Sequence, residues 1–222
     1  MNFITDLENA FILNAEPENA VPMAKYMKNL FSFFGIKSKP RKDITKEIWK
    51  HHKIEVKNNV REIALELFNK KEREFHYSAI EIGIKELKNN YRKEDIKLIE
   101  KLILKSSWWD SVDFLSKYLL GNFLLQFPEE TEKVISKFSA SDNMWLNRSA
   151  LLFQLDYKTN TNSAILFRQC QTHSASKEFF IQKAIGWSLR EYAKTNPDEV
   201  KKFVAEHNLK PLSQKEALKK LG

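Results

Sequence analysis

Apolar residues recur every three to four positions along almost the whole chain, and helix is the regular structure that buries such a pattern on one face. Val60, Ile63, Ala64, Leu67 and Phe68 form one stripe; Ile96, Ile99, Leu102 and Ile103 form another; Phe179, Ile181, Ala184, Ile185 and Leu189 form a third. The 222 residues include only 5 Gly and 6 Pro, too few for a turn-rich β architecture. Interruptions fall at Pro40-Arg41, Asn89-Asn90, Phe127-Pro128, 139–142, 159–162, 173–176, Asn196-Pro197 and Lys210-Pro211, sites rich in residues that cap or break helices. About a dozen helices and no strand are expected. With 42% hydrophobic residues, 16 of the total being Phe, the chain can build a continuous core, so one domain over residues 1–222 is expected.

The helices repeat. Glu74-Phe75, Trp108-Trp109, Met144-Trp145 and Phe179-Phe180 each open a helix just after a polar turn, and the column Glu74, Trp108, Trp145, Phe179 is spaced by 34, 37 and 34 residues. That period belongs to solenoids of stacked antiparallel helix pairs of the HEAT- and TPR-like kind. Five residues further on stand Ala79, Asp113, Ala150 and Ala184. Close helix packing accounts for the three alanines, and the carboxylate is the exception.

Net charge is +8, from 37 Lys+Arg against 29 Asp+Glu, an excess suited to a polyanionic partner such as nucleic acid. A lone cysteine, Cys170, rules out an internal disulfide. The opening residues carry acids and no basic stretch, unlike a signal peptide, and no apolar run is long enough to span a bilayer. A cytoplasmic protein is expected, nucleoid-associated when on DNA.

Chemistry concentrates at Ser107-Trp108-Trp109-Asp110-Ser111-Val112-Asp113. Trp109 and Asp113 lie four apart and share a helix face. A structural reading also fits: an aromatic core pair with Asp110 as a first-turn acid. Gly186, inside an expected helix next to Trp187, implies a close neighbour at that turn. Three residues on from each column aromatic or acid come Tyr77, Ser111, Arg148 and Gln182, a polar set expected on the concave side. Arg148, Lys183, Arg190 and Lys194 would then line a basic groove. The histidines have no ligand spacing, so no metal site is expected. Nor is there a phosphate-binding glycine loop or a paired nucleophile.

Four stretches carry a family resemblance: Pro22-Met23-Ala24-Lys25-Tyr26-Met27-Lys28-Asn29; the Trp108-Trp109 segment to Asp113; Ala140-Ser141-Asp142-Asn143-Met144-Trp145; and Phe179-Phe180 through Lys183-Ala184-Ile185-Gly186-Trp187 and Leu189-Arg190-Glu191-Tyr192 to Pro197. The chain resembles the AlkD family of bacterial DNA alkylation repair glycosylases, built of HEAT-like repeats. The resemblance implies an all-α right-handed superhelix that grips double-stranded DNA on its concave face. It implies that Asp113, Trp109 and Trp187 form the active site, with Arg148 and Tyr26 contacting DNA. It further implies hydrolysis of the N-glycosidic bond of cationic alkylated purines such as N3-methyladenine and N7-methylguanine. That chemistry needs no metal or cofactor and no amine is indicated as a Schiff-base nucleophile, so base removal without strand cleavage is expected, by a monomer. A non-catalytic DNA-binding solenoid that senses damaged or bent duplexes shares the same basic groove, and a protein-interaction scaffold is a third reading.

Overall fold

A computed structural model describes residues 2–219. The chain divides into two compact units, residues 1–91 and 92–222. All regular structure among the described residues is helical; the sole extended pairing is an isolated bridge between Ser32 and Glu72.

The first unit comprises α1 (Phe3–Leu13), α2 (Pro17–Tyr26), α3 (Ser38–His51), α4 (Lys53–Asn58), α5 (Val60–Asn69) and α6 (Arg73–Leu87). The stripe Val60, Ile63, Ala64, Leu67 and Phe68 is buried throughout, and α5 packs it against α6 as an antiparallel pair. The break expected at Pro40-Arg41 is not one: α3 runs through it. Pro40 occupies the first turn, where a missing N–H costs no helical bond, and Arg41 turns inward to Glu81. In contrast to its neighbours, α2 has no buried residue. Its start is clamped by the 32–36 loop, where the Glu16 amide donates to the Phe34 carbonyl (2.9 Å). Gly35 has φ +89°, and a Cβ there would lie 2.0 Å from the Glu16 carbonyl oxygen, so only glycine fits.

The second unit comprises α7 (Asp95–Leu104), α8 (Trp109–Phe114), a π-helical turn (Leu115–Leu120), α9 (Gly121–Gln126), α10 (Thr131–Ser139), α11 (Met144–Leu152), α12 (Ser163–Thr172), α13 (Phe179–Tyr192), α14 (Pro197–Glu206) and α15 (Pro211–Leu218). The remaining breaks fall where the caps and prolines put them. Asn143 and Asn162 cap α11 and α12, accepting from the Trp145 and Ile165 amides at 2.9 and 3.1 Å. The repeat column stands at helix starts, and the alanines five residues on are buried, Ala79, Ala150 and Ala184 each at 2% exposure or less. Phe179, expected in the core, is instead exposed; the adjacent Phe180 turns inward. No helix among the described residues is long and apolar enough to cross a membrane.

Candidate active site

Asp113 lies one turn into α8, just before the π-helical turn, on a helix whose first residue is the half-buried Trp109. Its carboxylate is engaged by Arg148 of α11 through a two-pronged contact, Nε to Oδ1 at 2.7 Å and Nη2 to Oδ2 at 2.9 Å. Both side chains are shielded, Arg148 at 5% and Asp113 at 13% exposure. The third guanidinium nitrogen, Nη1, donates to the Phe180 carbonyl on α13. One arginine therefore ties three helices of successive repeats together, with planar fork matched to planar carboxylate.

Arg148 is itself held by its neighbours along the chain. Asn147 donates to the carbonyls of Phe138, Ser139 and Ser141, plugging the end of α10 at 2.9–3.1 Å. Ser149 accepts from Ser116 of the π-helical turn (2.8 Å) and donates to the Trp145 carbonyl. The extra residue in a π turn shifts the register of the helix that carries Asp113, and Ser116 fixes that shifted turn against α11. An aromatic wall adjoins the pair: Trp108, Trp145 and Phe180 meet with ring centroids 5.2–5.7 Å apart. The Arg148 guanidinium lies 5.9 Å from the Phe180 ring. Burial pushes the Asp113 carboxyl above its ordinary value; the Arg148 fork offsets part of that, and the nearby Asp110 adds to it.

Trp187 sits two turns beyond Phe180 on α13, half-buried against the core that α11–α15 share. The adjacent Gly186 has the close neighbour its presence implied. A Cβ there would lie 2.4 Å from the Glu216 Cβ and 2.8 Å from the Ser213 carbonyl oxygen, both at or in α15. Tyr26 is exposed on α2, in the first unit.

The basic residues expected to line a groove are each paired with a carboxylate. Arg148 is buried and bound to Asp113, because a guanidinium in a closed helix interface needs a counter-ion more than it needs solvent. Lys183 (2.8 Å) and Arg190 (2.6 Å) converge on Glu216, and Lys194, in the turn after α13, pairs with Glu191 of that helix at 2.7 Å. Glu216 escaped sequence reading because α15 lies outside the repeat column, with no register to place it. The Asp113–Arg148 pair did carry a signal. Asp113 breaks a column of alanines, Arg148 is the charged member of its polar column, and the two are 35 residues apart, one repeat length.

The sequence pattern of DNA alkylation repair enzymes matches residues 7–221. The chain belongs to the DNA alkylation repair enzyme family. A solved structure described as a predicted DNA alkylation repair enzyme from Enterococcus faecalis is similar throughout. It is 34% identical, spans 93% of this chain and 96% of its own, and superposes with a TM-score of 0.86. Among curated proteins none matches the chain significantly. For an alkylation repair enzyme the partner is DNA.

Proposed function

We propose that this family member is a DNA glycosylase that hydrolyses the N-glycosidic bond of cationic alkylated purines, N3-methyladenine and N7-methylguanine, in duplex DNA. Asp113, Trp109 and Trp187 act at the sugar, and Arg148 positions Asp113. The observation that carries the reading is the carboxylate of Asp113, held by a fork yet still 13% exposed, one helical turn from an indole.

The chemistry sets what such a site must supply. A base made cationic by alkylation leaves without a proton donor, so the demand is for stabilising positive charge that builds up on the sugar. A carboxylate about 4 Å from that charge contributes about 4 kcal/mol at an effective dielectric near 20. Arg148 behind it, about 8 Å from the sugar, opposes this by about 2 kcal/mol. The pair therefore nets about 2 kcal/mol, and two indole faces add about 0.5–2 kcal/mol each. A total of about 3–6 kcal/mol corresponds to about 10²–10⁴ in rate. That suffices for a labile cationic nucleotide and is too little for an intact neutral one, so selectivity follows from lesion lability. Asp113 can also orient the attacking water. Nothing in this scheme requires a metal, a redox cofactor or an amine nucleophile, and the product is an abasic site with the strand intact.

Because Asp113→Asn removes the attraction and leaves the Arg148 repulsion, it should slow release of N7-methylguanine from methylated duplex DNA by about 10³-fold. Undiminished release by that variant would remove Asp113 from the mechanism. A second reading has its own support: both Asp113 oxygens are bound to Arg148, as in a purely structural tie. A non-catalytic sensor of damaged DNA would then show salt-dependent duplex binding and no base release from the wild-type protein.

A further inference from the structure

Gly186 lets α15 lie against α13 at the turn that carries Trp187, and the residue brought in there is an acid. Glu216, in the last turn of α15, gives one carboxylate oxygen to each of two cations of α13. Oε1 accepts from Lys183 Nζ at 2.8 Å, and Oε2 accepts from Arg190 Nη1 at 2.6 Å. The same Nη1 also donates to the Glu216 carbonyl (2.8 Å). Lys183 stands four residues before Trp187 and Arg190 three after it, so both cations share the helix face of the indole. Two anionic oxygens spanning an ammonium and a guanidinium are also what a phosphate of the DNA backbone would present.

This contact can be exchanged, unlike the tie at Asp113. There a planar fork takes both carboxylate oxygens, and both side chains are shielded. Here one guanidinium nitrogen is engaged, while Nε and Nη2 of Arg190 have no partner among the described residues. Lys183 is 38% and Arg190 21% exposed, so an incoming anion can reach both. Nor does α15 depend on the carboxylate for its place. Ser213 and Ala217 are fully buried, and the Ser213 hydroxyl donates to the Gln182 carbonyl at 3.0 Å. Rotation of the Glu216 side chain alone therefore frees both cations with the helix left where it is. Lys183 and Arg190 hold the Glu216 carboxyl down at about 2, so near neutral pH it stays charged and yields its cations only to another anion.

We propose that Glu216 is a built-in surrogate for a DNA phosphate: it occupies Lys183 and Arg190 in the free protein, and the duplex displaces it when its backbone reaches Trp187. The inference rests on the site proposed above, in which the Trp187 face of α13 meets DNA, and adds to it a group that holds binding in check. With Glu216 in place the two cations contribute a single net charge, and without it they contribute both. One further counterion released corresponds to a slope of log affinity against log salt steeper by about 0.9, and to about eightfold tighter binding at about 0.1 M salt.

The test measures the affinity of the full-length protein for an unmodified duplex by fluorescence anisotropy across a salt series. Glu216→Gln, which keeps the shape of the side chain, should bind about fivefold to tenfold more tightly than wild type at about 0.1 M salt, with the steeper slope. Its unfolding midpoint at pH 7 should fall at the same time, whereas loss of a purely structural tie would lower stability without raising affinity. Asp198→Asn is the control for net charge, since it removes a 97%-exposed acid from the same unit. Screening should keep its effect below about twofold. In a Lys183→Gln/Arg190→Gln background, adding Glu216→Gln should give no gain, because no cation is left to free. If Glu216→Gln binds no more tightly than wild type, or Asp198→Asn matches its gain, the surrogate is overturned while the DNA-binding reading stands. A gain that persists without the two cations overturns it as well. Base release from methylated duplex, scored in parallel, separates the two proposals: binding without release removes the glycosylase reading and keeps this one. If the wild type does not bind the duplex, both fall.

Discussion

Replacing Arg148 by Met keeps the length of the side chain and removes its charge, leaving Asp113 shielded with no counter-ion. The pair is close and both members are largely out of solvent, at 2.7 and 2.9 Å with 5% and 13% exposure. Breaking such a pair from one side costs about 3–5 kcal/mol. The bond to the Phe180 carbonyl, one tie between α11 and α13, is lost as well. Against a typical domain stability of about 5–15 kcal/mol this is a large fraction, readable as a drop in the urea midpoint with little change in slope. The carboxyl also changes. Both causes that lower its pKa come from Arg148, so their removal leaves burial and Asp110 to raise it further. Arg148→Lys, which keeps the charge and loses the fork, should fall between wild type and Met. Combining Arg148→Met with Asp113→Asn removes both charges, so the double variant should be more stable than the sum of the single losses by about 0.5–3 kcal/mol. An Arg148→Met midpoint within about 0.5 kcal/mol of wild type, or strict additivity in the double variant, would refute the claim that the pair is an energetic unit.

Three further outcomes follow from the same coordinates. Base release requires Asp113 ionised, and its pKa is raised, so the rate should fall as pH drops through a value above the ordinary aspartate range; Arg148→Lys should move that fall to higher pH, and a pH–rate profile reads both. Gly186→Ala should destabilise by about 1–3 kcal/mol despite the better helix propensity of Ala, because the new methyl meets the Ser213 carbonyl and the Glu216 Cβ; thermal melts decide the sign. Glu216 is held down to about 2 by Lys183 and Arg190, so its stabilisation is present above pH 4.5 and disappears as pH falls to about 2. That shift is worth at most about 3 kcal/mol and about 1–2 after screening through the 38%-exposed Lys183, so Glu216→Gln should lower the unfolding midpoint at pH 7 and leave it unchanged at pH 2.

Helix faces were legible in the sequence because their period is a property of the backbone itself, and Ala79, Ala150 and Ala184 mark close packing wherever the repeat recurs. What the period does not resolve is which of two adjacent aromatics at a helix start turns inward. In Phe179-Phe180 it is the second, because the first projects beyond the turn while the second meets Trp108 and Trp145. The π turn was equally hidden, since Leu115–Leu120 reads as ordinary helix and the wider turn is set by its packing on α11. Gly186 announced a close neighbour without naming it, because a missing side chain records that space is scarce and not who takes it.

The most instructive departure concerns charge. A net +8 counts how far cations outnumber acids, whereas a polyanion feels the cations left after pairing. Arg148, Lys183, Arg190 and Lys194, expected along a basic groove, are each matched to a carboxylate. Pairing depends on contacts 3 to 35 residues apart, and only the shortest of these, Lys194 with Glu191, is local in sequence. Exposed lysines without ion pairs among the described residues, such as Lys25, Lys28 and Lys37 in the first unit, contribute a full charge to any approaching phosphate. A matched cation contributes only after its carboxylate is displaced or screened. Substituting the two sets should therefore separate them by salt dependence: each unpaired lysine lost should reduce the slope of log affinity against log salt by close to one phosphate contact, and Lys194→Gln should change it by much less. Equal slopes for Lys37→Gln and Lys194→Gln would show that pairing within the protein does not govern which cations the DNA uses.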